Sequence, residues 1–157
     1  MKVLVECNAD EMVLRNLGIT RKQLFHFAGR NNVISHLKDL PGAIGVVDED
    51  PGSSQHRDQQ ASYHQVKFSE GLRLLTRQGS GGQKLIIVCP KLEDWLLDRA
   101  KSSGIKPENF GFPNDPDRLH GIPRYEQKEG FKRFLEELKE KDKGMKLLCQ
   151  WIFENVT

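Results

Sequence analysis

A short apolar run in the first third of the chain ends abruptly in three carboxylates. Ala43–Val47 is followed directly by Asp48, Glu49 and Asp50, and a Pro-Gly pair then interrupts the chain. Apolar runs of this length are typical of strands buried on both faces, as in parallel sheets. In open α/β sheets, ligands bind beyond the carboxyl ends of such strands. The segment therefore predicts an α/β fold with a candidate site at the end of this strand.

Two further apolar runs place acidic residues in comparable positions. Val3–Val5 is a predicted strand that leads to Glu6, just before a predicted helix. Lys84–Cys89 is the clearest buried strand, and Glu93 follows it in the first turn of another helix, where the helix dipole alone would also account for an acidic residue. If the strands are parallel, Glu6, Asp48 and Glu93 are expected at the same edge of the sheet.

Hydrophobic periodicity and turn residues predict the other elements. Asn8 is expected to cap the first helix, and Asp10 to interact with its dipole. A short helical turn is expected within residues 20–29, with Phe25 and Phe27 in the core. The remaining predictions are helices at 9–17, 31–40, 92–104, 130–141 and 145–156, and strands at 66–68 and 72–75.

The length of 157 residues predicts a single domain, 1–157, that is large enough to bury a core. Residues 1–104 are expected to form a compact, mostly parallel sheet flanked by helices, of a Rossmann-like kind. Residues 105–128 contain four prolines and predict an irregular covering loop, and residues 129–157 predict a helical C-terminal tail.

Composition excludes several classes of protein. A net charge of +2 is too small to indicate a nucleic-acid partner by itself, and no apolar stretch approaches the ~20 residues of a membrane span. The N-terminus becomes acidic too early for a signal peptide. Three widely spaced cysteines fit no metal-ligand spacing and suggest reduced thiols. These features predict a cytoplasmic protein that does not interact with membranes.

The acidic segment itself suggests a cation. In an extended chain, Asp48 and Asp50 point to one side and Glu49 to the other. Two neighbouring carboxylates repel each other unless a proton or a cation lies between them. Mg²⁺ commonly binds one or two protein carboxylates together with water or phosphate oxygens. The alternative is a solvated acidic turn, which is the more common meaning of an isolated Asp-x-Asp.

Basic residues near these strand ends could contact phosphate. Arg30 follows a glycine at a predicted helix start, a position suited to phosphate, although a surface arginine is the simpler interpretation. Arg57 belongs to the polar segment Ser53–His64, which is expected to be a loop beside the carboxylates. Gln78–Gln83 is rich in glycine but lacks the lysine and hydroxyl residue of a phosphate-binding P-loop.

The order of these segments resembles the Toprim family of Mg²⁺-dependent phosphoryl-transfer domains. Val3-Leu4-Val5-Glu6 matches the family's glutamate segment, and Val46-Val47-Asp48-Glu49-Asp50 matches its Asp-x-Asp segment. Cys89-Pro90-Lys91-Leu92-Glu93-Asp94-Trp95 is similar to the Pro-x-x-Glu-x-Trp segment of small Toprim-like proteins of bacterial and archaeal defence or mobile elements. The resemblance covers residues 1–104. It departs from the family's Glu-Gly, because Cys7 follows Glu6.

The resemblance implies a role for each acidic residue. Glu6 would be a general acid or base, or a metal ligand. Asp48 and Asp50 would hold Mg²⁺ or Mn²⁺, and Glu93 would be a further ligand or would position water. Phosphates of a nucleic acid would contact the basic side chains of Arg30, Arg57 and Lys91. These three residues are assigned only from their positions in the sequence.

The function implied is Mg²⁺-dependent cleavage of phosphodiester bonds in a nucleic acid, DNA or RNA. A protein partner or a homo-oligomer is also possible. One alternative is a catalytically silent Toprim-like module that binds nucleic acid or a protein. Another is a nucleotide-binding or response-regulator-like domain, which would need a lysine and a hydroxyl residue at later strand ends. Lys84 begins a strand rather than ending one, which counts against that alternative.

Overall fold

A computed structural model describes residues 1–50, 62–79 and 81–154, and these contain one mixed β-sheet. Its strands are β1 (Val3–Val5), β2 (Leu24–His26), β3 (Ile44–Asp48), β4 (Tyr63–Ser69), β5 (Leu72–Arg77) and β6 (Lys84–Val88). Their spatial order is β2-β1-β3-β6-β5-β4. Strands β2, β1, β3 and β6 are parallel to one another, whereas β5 is antiparallel to β6 and β4 is antiparallel to β5. The predicted α/β class with a mostly parallel sheet is confirmed.

Helices cover both faces of this sheet. They are α1 (Asn8–Asn16), α2 (Arg30–Leu37), α3 (Leu92–Ser102), α4 (Pro116–His120), α5 (Glu129–Lys141) and α6 (Lys143–Phe153), with 3-10 segments at Arg21–Gln23, Pro107–Phe110 and Tyr125–Gln127. Alternate residues of each strand face opposite sides. Val3 and Val5 therefore join the core beneath α1, α3, α5 and α6, while Leu4 packs with the side chains of α2.

The helices predicted as a C-terminal tail belong to the larger of these two cores. Phe131 and Phe134 of α5 and Trp151 of α6 are fully buried in the same cluster as Val3 of β1 and Trp95 of α3. Aromatic rings carry large apolar areas, so their burial contributes strongly to the free energy of folding. Residues 129–154 are therefore packed against the sheet rather than extending from it.

Three local predictions are wrong. The helical turn expected within 20–29 is present at Arg21–Gln23, but β2 at Leu24–His26 was not predicted, and because β2 is an edge strand, Phe25 is 38% exposed rather than in the core. The cap of α1 is Cys7 rather than Asn8, since the Cys7 Sγ accepts a hydrogen bond from the Asp10 N–H at 3.4 Å. The region 105–128 is not wholly irregular: Pro107 and Pro116 each begin a short helical segment, a position that suits proline.

The strands predicted at 66–68 and 72–75 correspond to β4 and β5, and each observed strand is longer than the predicted one. Among the described residues, no helix is long and apolar enough to cross a membrane.

Candidate functional site

A cavity of about 270 Å³ opens at the carboxyl ends of the parallel strands. Its walls come from the residues that follow β1, β3 and β6, together with the end of α4. The lining residues are Glu6, Cys7, Asp48, Asp50, Lys91, Leu92, Glu93 and His120. All four carboxylates proposed from the sequence therefore converge on one cavity, together with Lys91.

Glu6 and Asp48 meet directly because β1 and β3 are adjacent and parallel. The Glu6 Oε1 accepts a hydrogen bond from the Asp48 backbone N–H at 2.6 Å. Burial raises the pKa of Glu6, although this hydrogen bond and the Arg30 charge oppose the rise. Burial, together with smaller contributions from the nearby charges of Asp10, Glu6 and Glu93, raises the pKa of Asp48 to about 8. The ionised forms of both groups are therefore disfavoured in this cavity unless a proton or a cation compensates their charge.

The segment after β3 separates its three acidic residues as expected. Asp48 and Asp50 line the cavity, whereas the Glu49 carboxylate pairs with Arg73 of β5 at 2.9 Å. The extended chain does not continue to Asp50, which has a φ of 46° and donates its N–H to the Pro90 carbonyl at 3.1 Å. A left-handed backbone turn thus contributes to the placement of Asp50.

Asp10 is an acidic residue of this site that the sequence did not reveal. It was expected to interact with the helix dipole, but only 2% of it is exposed, and its Oδ2 accepts a hydrogen bond from the Cys7 thiol at 3.1 Å. Burial raises the pKa of Asp10 to about 7, and the charges of Glu6 and Glu93 contribute to the rise. Asp10 therefore adds a further carboxyl group behind the cavity wall.

Glu93 is held by two residues from the region that follows α3. Its Oε1 accepts a hydrogen bond from the Tyr125 hydroxyl at 2.9 Å and lies 3.0 Å from His120 Nδ1. Glu93 and Tyr125 are buried, whereas His120 is exposed at the cavity rim. Neither His120 nor Tyr125 was a sequence candidate, because no local spacing links residues so far from Glu93 along the chain.

The three basic candidates have different positions. Arg30 Nη1 donates hydrogen bonds to the backbone carbonyls of Asp48 and Glu49, at 2.9 and 2.7 Å, and these bonds stabilise the backbone of the acidic segment. Lys91 lines the cavity and is exposed. Arg57 lies outside the described residues.

The chemistry of the donor set fits a cation. The Asp48 Oδ1 is buried and has no hydrogen-bond partner among the described residues. Burial raises the pKa values of Glu6, Asp10 and Asp48, and neighbouring carboxylates contribute, so a positive charge in the cavity would stabilise their ionised forms. However, in this conformation, no three His, Cys, Asp or Glu side chains of residues 1–50, 62–79 and 81–154 are grouped to hold a metal.

A larger cavity, of about 610 Å³, lies at the opposite ends of the strands. Its Lys84 ammonium donates to the carbonyls of Trp151 and Glu154 at 2.8 and 2.6 Å. These bonds satisfy carbonyls at the end of α6, so the charge of Lys84 has a structural role there.

Comparisons with known proteins identify no relative: no family model, no curated protein and no solved structure matches this chain.

Proposed function

We propose that this protein cleaves phosphodiester bonds of a nucleic acid with the help of Mg²⁺ or Mn²⁺, as the Toprim-like order of its acidic segments implies. The observation that supports the proposal is the convergence of Glu6, Asp48, Asp50 and Glu93 on one cavity at the carboxyl ends of parallel strands. Such strand ends are the usual ligand sites of α/β sheets.

In this proposal Glu6, Asp48 and Asp50 would hold the cation, because they line the cavity and two of them have pKa values raised by burial. When bound, the cation polarises the phosphoryl group and balances charge that develops during in-line displacement. Lys91 would contact a phosphate, since it is the lysine among the described lining residues. Arg30 would act indirectly, by fixing the backbone of Asp48 and Glu49.

The proposal is tested by incubating purified protein with single- and double-stranded DNA and RNA, with and without Mg²⁺ or Mn²⁺. The native chain should cleave at least one substrate only in the presence of the metal. Glu6→Gln and Asp48→Asn should each reduce the rate by about 100-fold or more. Asp39→Asn, which changes an exposed carboxylate outside the cavity, should leave the rate unchanged. Cleavage by Glu6→Gln and Asp48→Asn at the native rate would point to a contaminating nuclease.

A second candidate is the catalytically silent module. It is favoured by the lack of a ready-made metal-binding group of three side chains among the described residues. Metal-dependent binding of a nucleic acid without cleavage, in the same assays, would support this function instead.

The response-regulator-like alternative needs a lysine and a hydroxyl residue, and only the lysine is found among the described lining residues. Lys91 follows β6 and enters the cavity, so a lysine is available beyond a later strand after all. No serine or threonine is among the described residues that line the cavity. Stable incorporation of phosphate from a phosphoryl donor into Asp48 would favour this alternative.

A further inference from the structure

His120 is held at the rim of the acidic cavity by a buried carboxylate. Its Nδ1 lies 3.0 Å from Glu93 Oε1, and the Tyr125 hydroxyl donates to the same oxygen at 2.9 Å. The His120 side chain is 77% exposed, whereas that of Glu93 is only 10% exposed. The arrangement therefore holds one ring nitrogen against Glu93, while most of the His120 side chain stays exposed at the cavity rim.

The contacts favour the tautomer in which Nδ1 carries the proton. Because the Tyr125 hydroxyl donates to Oε1, this oxygen acts as an acceptor, and the His120 Nδ1–H is the matching donor. In a neutral imidazole the Nε2 then bears the free lone pair. A carboxylate that orients a histidine in this way also stabilises the imidazolium formed when Nε2 takes up a proton.

Other groups in the cavity are less suited to accept a proton. One oxygen of Glu6 is bound to the Asp48 backbone N–H at 2.6 Å. The Lys91 ammonium can only donate. Asp48 is the last residue of β3 and Asp50 follows it, and the proposed function uses both, together with Glu6, to hold the cation.

We propose that His120 is the general base of the reaction and that Glu93 and Tyr125 are its positioning residues. This inference rests on the proposed phosphodiester cleavage and assigns Glu93 to positioning the attacking water, through His120. His120 Nε2 accepts one proton of that water as the water oxygen forms its bond to phosphorus. The bond from phosphorus to the leaving sugar oxygen breaks and its electron pair stays on that oxygen. The oxygen then takes a proton from solvent. The imidazolium afterwards releases its proton to solvent.

The test compares two substrates under Mn²⁺. One is the nucleic acid that the native protein cleaves, and the other is the p-nitrophenyl ester of thymidine 5′-monophosphate, whose leaving group needs no proton. His120→Asn should lower kcat by about 100-fold on both substrates. Glu93→Gln should lower kcat by about tenfold, with KM unchanged, because it acts through the histidine. His26→Asn is the matched control, since His26 pairs with Glu11 at 3.6 Å outside the cavity.

Chemical rescue separates a catalytic role from a structural one. Added imidazole should restore activity to His120→Ala but not to Glu93→Gln, whose own histidine still occupies the site. Thermal unfolding of each variant shows whether it remains folded, and the rescue is measured on folded protein only.

Each alternative result has a distinct meaning. If His120→Asn cleaves both substrates at the native rate, the inference is overturned and the proposed function stands. A defect confined to the natural substrate would show that His120 protonates the leaving group, which also overturns the general-base assignment. If native protein cleaves neither substrate with any metal, the proposed function fails and the inference fails with it.

Discussion

The Glu6 carboxylate accepts a hydrogen bond from the Asp48 backbone N–H, with 2.6 Å between Oε1 and N. The bond joins the ends of two adjacent parallel strands, in which Val5 lies opposite Val46. It also holds the charge of Glu6 close to the Asp48 carboxyl group, whose pKa it helps to raise. The same contact thus connects the strand ends and creates repulsion between their side chains.

Two substitutions of Glu6 should separate these effects. Glu6→Gln retains an oxygen that can accept from the Asp48 N–H and removes the charge, so the free energy of unfolding should change little or rise. Glu6→Ala removes the acceptor and should lower the free energy of unfolding by about 1–3 kcal/mol, because a part-buried donor loses its partner. Urea unfolding at pH 7 measures both. Equal loss in both variants would show that the charge, rather than the hydrogen bond, is what the fold requires.

The stability of the metal-free protein should fall as the pH rises. Because burial raises the folded-state pKa of Asp48 from 3.8 to about 8, the folded protein binds more protons than the unfolded chain between these values. The stabilisation is complete below pH 3.8 and is lost as the pH rises through about 8. Asp10, with a pKa raised to about 7, has an effect of the same sign.

Asp48→Asn removes one of these titrations. The variant should be more stable than the native chain at pH 8.5, by on the order of 1–3 kcal/mol, and about equally stable near pH 4. Urea unfolding across this range in the presence of EDTA measures the difference. Asp39→Asn, with its exposed carboxylate, is the control and should follow the native curve. A constant difference at every pH would contradict the assignment.

Mg²⁺ or Mn²⁺ should raise the melting temperature of the native chain. A ligand that binds only the folded state stabilises it, and at ten times its Kd the gain is about 1.4 kcal/mol, equivalent to roughly 2–6 °C. Asp48→Asn should abolish the increase, because it removes a proposed ligand. Differential scanning calorimetry with 10 mM metal or EDTA checks the prediction. Identical native melting temperatures in both conditions would favour the solvated-turn interpretation.

Arg30 and Lys91 should differ in how they affect nucleic-acid binding. Lys91→Gln removes a charge from the cavity rim and should reduce the slope of log K against log salt by about 1. Arg30→Met should instead destabilise the fold by about 1–3 kcal/mol, since its hydrogen bonds to the Asp48 and Glu49 carbonyls are lost. Binding titrations at several salt concentrations, together with urea unfolding, distinguish the two. A reduced slope for Arg30→Met without loss of stability would identify Arg30 as a phosphate contact.

The local sequence was sufficient to predict the framework of the site. Buried parallel strands are short, apolar and bounded by turn residues, so β1, β3 and β6 can be recognised in the sequence as short apolar stretches. The residues that follow them are then placed by the geometry of a parallel sheet, and Glu6, Asp48, Asp50 and Glu93 do line one cavity. By contrast, β2 is only three residues long and lies at an edge, where its side chains are partly or fully exposed, so no buried-strand pattern marks it in the sequence.

What the sequence determined by itself was therefore the α/β class and the edge of the sheet where acidic residues collect, because both depend on short-range periodicity. Tertiary structure alone decided the environment of those residues. Asp10 is buried because α1 packs against the larger core. Glu93 meets His120 and Tyr125, which lie 27 and 32 positions away, because residues 105–128 fold back over the start of α3. Contacts between such distant positions depend on packing, which no local pattern of residues encodes.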